Sequence, residues 1–364
     1  MRNKLTGRSV PLLVEYLVCK ENKALLTEQE WELFLLQARA AGLIARLSIF
    51  ARKKRYFSVP LYISNHFDAA DVYFATQKRI VQWEIKLLAE AFSHLQLPLI
   101  LLKGAAYAAS GTGASDGRVF NDIDILVSQN CLEKVKSTLV WYGWVPEKLD
   151  AYDQQYYNRW MHELPPMHHI KRQTTLDIHH NILPRTSKLF SDSEKLIADI
   201  VRIPGTDFWT LKPEDMVLHS ACHLFLGGEF ENGLRDLSDM DLLLRQFSEE
   251  RLDFFQKLVE RGLELGFQQP LFYSLRYTKI LLECPIPDNI FHELEQNKVN
   301  KLWMMDFLFL RALMPDHPSC DDCWTGLARW LLYIRSHWLR MPLYLLIPHL
   351  LRKSWLRLIG KTTD

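Results

Sequence analysis

Asn121-Asp-Ile-Asp-Ile-Leu-Val127 alternates carboxylates with branched aliphatic side chains before closing on an apolar pair. Period-two alternation of this kind is that of a β-strand. Asp122 and Asp124, at i and i+2, emerge on one face, while Ile123 and Ile125 point the other way into apolar packing. Two carboxylates held this close raise each other's pKa and cost stability unless a cation neutralises them, and their hard oxygens suit a divalent ion. Mg²⁺ is the expected occupant, with Mn²⁺ as the alternative.

Working outward, Leu97 to Leu102 (LPLILL) is a short apolar run ending at Lys103-Gly104, which predicts a buried strand and a turn. The small residues 105–110 (AAYAAS) favour helix, and Gly111-Thr-Gly113 opens a loop. Gly104 would leave room for a phosphate against the backbone, where the N-terminus of the next helix supplies donors and a positive dipole. Lys103 and Arg118 are the nearest cations in sequence. Downstream, Leu132 to Trp141 predicts a helix, and His168 to Lys171 and Thr175 to Ile182 predict two strands split by Arg172-Gln173-Thr174. Asp177 lies on the last of these between Leu176 and Ile178, so a neighbouring strand could aim it at the same point. Three carboxylates from two strands can bridge two Mg²⁺ ions, the arrangement that chemistry on phosphate uses for charge neutralisation and in-line positioning. An Asp-x-Asp triplet alone also fits a solvated strand face; it is the strand-glycine-helix unit upstream and the LDIH strand downstream that favour a site.

These residues resemble the nucleotidyltransferase superfamily of the DNA polymerase beta type, with its strand, glycine and small residue, helix, and Asp-x-Asp/Glu strand. Within it they are most similar to the uncharacterised bacterial nucleotidyltransferase family that reads LLKG, a spacer, and an Arg shortly before DIDILV. Here those are Leu101-Leu-Lys-Gly104, Arg118 and Asp122 to Val127. The Trp31-to-Leu47 helix, Leu176-Asp-Ile-His179 and the stretch from Leu218-His219 to Arg235-Asp236 also resemble that family, so the likeness spans about 25 to 245. It implies Asp122, Asp124 and Asp177 as catalytic metal ligands and Gly104, with Lys103 and Arg118, as the nucleotide-binding side. The implied reaction moves a nucleoside monophosphate from an NTP, ATP foremost, to an unidentified hydroxyl or phosphate acceptor, with pyrophosphate released. The rival reading is a catalytically silent nucleotide- or partner-binding protein on the same fold. Ala105 stands where the superfamily has Gly or Ser, which removes a possible hydroxyl contact to phosphate.

The flanks read as helices. Thr27 and Glu30 form a capping-box start to a predicted helix over 27–49, and a second runs from about Ala70 to Leu95 before Pro98. After Pro213 come Glu214 to Leu226, Leu237 to Gln246 and Glu249 to Leu265. The expected fold is α+β: a helical region over 1–74, a small mixed-sheet core over 75–185, and a helical region with a basic aromatic tail over 186–364.

Composition narrows the partners. The 44 Lys and Arg against 43 Asp and Glu leave a net charge of +1, with no field to attract long nucleic acid. Six scattered cysteines do not make a disulfide framework, no leader or spanning segment is apparent, and a cytoplasmic setting is expected. Cys320-Asp-Asp-Cys323 reads as a loop with two thiols rather than a metal knuckle. His219 and His223 share a helical face for packing or substrate contact, His168-His169 and His179-His180 flank the proposed site, and His179 shares the face of Asp177. Arg235, Asp236, Asp239 and Asp241 read as a solvated face or intrahelical pairs. Between Cys323 and Thr363 there is no acidic residue, and Arg and Lys alternate with tryptophans; the favoured reading is a helical layer packed on the core, with a peripheral membrane or protein partner as the alternative.

Overall fold

The alternating segment forms strand β2 (Asp122–Leu126), near the middle of a mixed seven-stranded sheet. The computed structural model describes residues 10–18, 26–54, 59–120, 122–148, 160–189, 192–295, 302–341 and 344. On one side of β2 lies β1 (Leu99–Leu101), antiparallel and buried on both faces, as its unbroken apolar run requires. On the other lies β5 (Thr175–His179), parallel, followed outward by β4 (Met167–His169) and β3 (Trp144–Pro146), both antiparallel. The turn between β4 and β5 is made by left-handed Gln173. Beyond β1 the sheet takes two strands that the sequence reading had not anticipated, β7 (Phe208–Thr210), parallel to β1, and β6 (Val201–Arg202) at the edge. With two or three residues each, neither shows a readable period.

Fourteen helices surround the sheet among the described residues. A short α1 (Leu12–Val18) precedes α2 (Glu28–Ala40), which Thr27 and Glu30 do cap reciprocally. The helix expected to continue to Ile49 instead stops there: Gly42 takes φ 63° and the chain restarts as α3 (Ile44–Lys54). Helix α4 begins at Leu61 rather than near Ala70 and runs to Leu95, where left-handed Gln96 ends it before Pro98. Then α5 (Lys103–Ser110) follows β1, and α6 (Leu132–Trp141) follows β2.

After α7 (Ser193–Ala198) and the edge strands, α8 (Pro213–Gly227) and α9 (Gly233–Glu250) pack together. The helix predicted over Glu249 to Leu265 is broken at extended Arg251, so Glu249 and Glu250 close α9 and α10 (Phe254–Glu264) starts anew. The remaining helices are α11 (Gln268–Leu282), α12 (Asp288–Glu295), α13 (Leu302–Ala312) and α14 (Thr325–Arg340). One apolar core runs from Leu13 in α1 through Ile123 and Ile125 of β2 to Leu332 in α14. No helix among the described residues is long and apolar enough to cross a membrane.

Candidate active site

The register of the two central strands brings the carboxylates together. Asp124 on β2 is the direct neighbour of Asp177 on β5, and Asp122 pairs with Thr175, one pleat away on the same face. One oxygen from each of Asp122, Asp124 and Asp177 lies within 4.8 Å of the others. Ile123 and Ile125 turn into the core on the opposite face, which fixes this register, since a one-residue slip would bury the acids and expose the isoleucines.

The three acids are not equivalent. Burial alone would raise Asp124, but the Lys103 ammonium 3.0 Å from its Oδ1 and a hydrogen bond from His179 hold it well below the ordinary carboxylate range. Burial, then the charges of Asp124 and Asp122, push Asp177 up to about 7. Its Oδ1 is buried and has no hydrogen-bond partner. Enclosure by the surrounding protein and the Asp124 charge also raise Asp122, although its side chain stands open to solvent at the start of β2. An all-oxygen donor set, negative in excess of the one lysine beside it and with an orphaned buried oxygen, fits a hard divalent cation.

His179 supplies a connection that was only partly foreseen. Asp124 is ionised and can only accept, so the hydrogen bond at 2.9 Å must be donated by His179 Nε2. Its other nitrogen, Nδ1, stands 3.3 Å from the Glu163 carboxylate. That pairing favours a proton there too, so despite burial the imidazole pKa is raised by Asp124 and Glu163. Lys103, Asp124, His179 and Glu163 thus form one line of contacts across the sheet. Glu163 reaches this position through an isolated bridge to His179. His162 beside it is held neutral by burial and the His179 charge. Neither residue could be picked out in advance, because the segment 160–166 carries no periodic pattern.

Lys103 adopts φ 42°, a left-handed conformation costly for a side-chain-bearing residue, at the junction of β1 and α5. Gly104 follows. A Cβ on Gly104 would collide with the Phe120 ring and come within 3.2 Å of Arg118 Nε. The space it leaves is therefore filled by Phe120 and Arg118, which bring the guanidinium over the glycine backbone. Ala105, by contrast, is 1% exposed and belongs to the apolar core, so a hydroxyl at that position would face packing rather than the cavity.

Lys103, Gly104, Arg118, Asp122 and Asp124 all line one cavity of about 270 Å³, and Asp177 stands just beyond its edge. The opposite wall comes from α8, α9 and the turn between them, with Ser220, His223, Glu229, Glu231, Asn232 and Arg235; Tyr107 on α5 meets it through a 2.6 Å hydrogen bond with Ser220. His223 opens into the cavity and is kept neutral by the Lys103 charge and by burial. His219, one turn earlier, is buried against the His179 ring at 6.3 Å and packs as expected.

Two sequence readings change here. Asp236 and Asp239 are not on a solvated face: both pair with Arg118, and Asp239, 3% exposed, also pairs with buried Arg46 at 2.7 Å. Intrahelical pairs are made by Asp236 with Arg235 at 3.0 Å and by Asp241 with Arg245 at 2.9 Å. His168 and His169 lie on β4, outside the cavity lining; His169 is buried and its ring nitrogens meet Tyr142 O and the Lys171 and Arg172 amides. Cys320 is buried and Cys323 exposed, and both are free thiols.

Neither the curated proteins nor the solved structures contain a match to this chain. The sequence profile of one family does match, across residues 27–283, a span holding the whole sheet, the acidic triad and both cavity walls. The chain belongs to the uncharacterised nucleotidyltransferase family.

Proposed function

We propose that the chain transfers a nucleoside monophosphate from an NTP, ATP foremost, to a hydroxyl or phosphate acceptor. The observation that carries this reading is the convergence of Asp122, Asp124 and Asp177 within 4.8 Å beside a cavity that Lys103, Arg118 and Arg235 also line. The three carboxylates would hold Mg²⁺, or Mn²⁺, which supplies charge neutralisation at the phosphates and lowers the pKa of an acceptor oxygen. The residues do the rest. Lys103 and Arg235, both lining the cavity, draw the polyphosphate in, and the Gly104 backbone at the start of α5 offers it amide donors. Arg118, braced by Asp236 and Asp239, keeps a fixed position over Gly104.

The acceptor oxygen forms a bond to the α-phosphorus, the bond from that phosphorus to the α–β bridging oxygen breaks, and pyrophosphate leaves. Asp177, whose buried Oδ1 has no hydrogen-bond partner, takes the acceptor proton. Glu229, Glu231, Asn232 and His223 on the far wall are placed to select the acceptor. The near-neutral chain, and a cavity of about 270 Å³, just under the ~300–1,000 Å³ range of ligand sites, suit a compact acceptor group over a nucleic-acid strand.

The test uses each NTP labelled at the α-phosphate, Mg²⁺ or Mn²⁺, and a cell extract as the source of acceptor. Pyrophosphate release and label transfer to one extract component, both absent in the Asp122→Asn/Asp124→Asn protein, are expected. Equal signals from the two proteins, with folding intact, would leave a nucleotide-binding protein without turnover. Release of inorganic phosphate without an adduct would make it a hydrolase.

A further inference from the structure

Beside the acidic triad lies a second group of ligating side chains. His162, Glu163 and His179 each place one such atom within 4.8 Å of the others. None of the three lines the cavity, and the group shares no residue with Asp122, Asp124 and Asp177. The segment that carries two of them is fixed against β5 by its backbone. Glu163 bridges His179, the Leu164 amide donates to Ile178 O at 2.9 Å, and the His180 and Asn181 amides donate to His162 O at 2.8 and 3.1 Å. Two imidazoles and one carboxylate are thus set in place before any ligand arrives.

The buried nitrogens of this group lack hydrogen-bond partners. The His179 side chain is 3% exposed, and its Nδ1, 3.3 Å from Glu163 Oε2, is near enough for an ion pair but out of line for a hydrogen bond. His162 Nδ1 is also buried and without a partner, while its Nε2 stands 3.9 Å from the same Glu163 oxygen. Metal–ligand bonds of about 2.0–2.2 Å set tetrahedral ligands about 3.4 Å apart, so these separations suit a shared ion better than they suit hydrogen bonds. The other side of the His179 ring completes the pattern. Its Nε2 donates to Asp124 at 2.9 Å, the carboxylate contact that metal-binding histidines commonly make through the nitrogen that does not ligate. Asp124 thereby fixes the tautomer whose Nδ1 is turned to Glu163.

We propose that His162, Glu163 and His179 bind one divalent cation of borderline softness, Zn²⁺ foremost, behind Asp124. Two imidazoles and a carboxylate suit Zn²⁺, whereas the all-oxygen triad suits Mg²⁺, so the two sites select different ions. The cation takes the place of the His179 Nδ1 proton, which passes to solvent, and neutralises Glu163 as that proton does. It ties residues 162 and 163 to β5 and holds His179 as the Nε2–H donor to Asp124. That is a positioning role, and it holds whichever reaction the triad carries out.

Titration of the metal-free full chain with Co²⁺, a coloured substitute for Zn²⁺, in the presence of excess Mg²⁺ tests this. A four- or five-coordinate site of nitrogen and oxygen gives visible absorption well above that of octahedral Co²⁺, and no near-ultraviolet thiolate band. Saturation at about one equivalent, reversed by Zn²⁺, is expected. Asp122→Asn/Asp177→Asn, which keeps Asp124 behind His179, should bind Co²⁺ as the wild type does. Glu163→Gln should weaken binding at least about tenfold, and should that variant fold poorly, His162→Gln should show the same loss. No saturable visible band from the wild type overturns the proposal. So does a band that both ligand variants keep in full. A band lost with the triad substitutions would put the ion on the aspartates instead, and a thiolate band would put it on a cysteine; either result also overturns it.

Discussion

Asp177 sets how the site responds to pH. Its carboxyl, raised to about 7 by burial and by Asp124 and Asp122, has to lose its proton before it can hold a cation. Metal affinity is therefore expected to rise about tenfold per pH unit below 7 and to level off above it, as titration with Mn²⁺ at several pH values would show. The sign for stability follows from the same shift. A group whose folded pKa lies above its unfolded value contributes stability that is complete below the unfolded value and lost as pH rises through the folded one. Metal-free protein should thus lose melting temperature between about pH 4 and 7, and Mg²⁺ should restore more of it at pH 8 than at pH 6. Asp177→Asn should flatten that slope, and a metal-free melting temperature already flat in the wild type would contradict the assignment. Gly104 is constrained by contact rather than by charge. Gly104→Ala drives a methyl into the Phe120 ring and is expected to cost about 1–3 kcal/mol in urea unfolding.

At the scale of elements, what could be read in advance was whatever repeats locally. The Asp-Ile alternation fixed β2 and the shared face of its acids, and the capping box fixed the start of α2, because both signals lie within a few residues. The placement of Asp177 beside Asp124 needed strand pairing, which the alternation made plausible and the parallel register of β2 and β5 supplies. What could not be read is the ionic cluster that fixes the far wall. Arg46 on α3 is fully buried and donates to Asp116 O, Ala114 O and Ser238 Oγ besides pairing with Asp239. Its partner on α9 lies far away in sequence, and charged residues on an amphipathic helix are by default solvent-facing, so Asp236 and Asp239 looked like surface. Glu163 escaped for the same reason, a role conferred by a bridge and not by a pattern. The cluster makes a strong prediction. Asp239→Ala strands two guanidinium groups, those of Arg46 and Arg118, without their shared carboxylate, and should destabilise the protein by about 3–5 kcal/mol in chemical unfolding. Asp207→Ala, which removes an exposed pair with Arg202, should cost less than about 0.5 kcal/mol. Similar losses for the two would remove the cluster's structural role.

Over the whole molecule, the α8–α9 wall of the cavity is held from behind by helices that lie beyond the family match at residue 283. Phe309 on α13 is fully buried, with ring centroids 5.1–5.9 Å from those of Tyr273, Tyr277, Phe225 and Phe230. Phe225 belongs to α8, and Phe230 lies in the turn between Glu229 and Glu231, both of which face the cavity. The aromatic cluster therefore anchors from below the very turn that stands opposite Asp122 and Asp124. A turn carrying two exposed carboxylates has little apolar area of its own to bury, so its position depends on Phe230 being gripped from the core side. Truncating Phe309 to alanine should open a cavity and cost about 3–5 kcal/mol of stability. It should also let the turn shift while leaving the sheet, its register and the three aspartates in place. The expected kinetic signature, once an acceptor is in hand, is a KM for that acceptor raised several-fold, with metal affinity unchanged. Equal loss of metal binding and acceptor binding would mean that the two walls move as one body, and that the helices after residue 283 support the sheet as much as the turn.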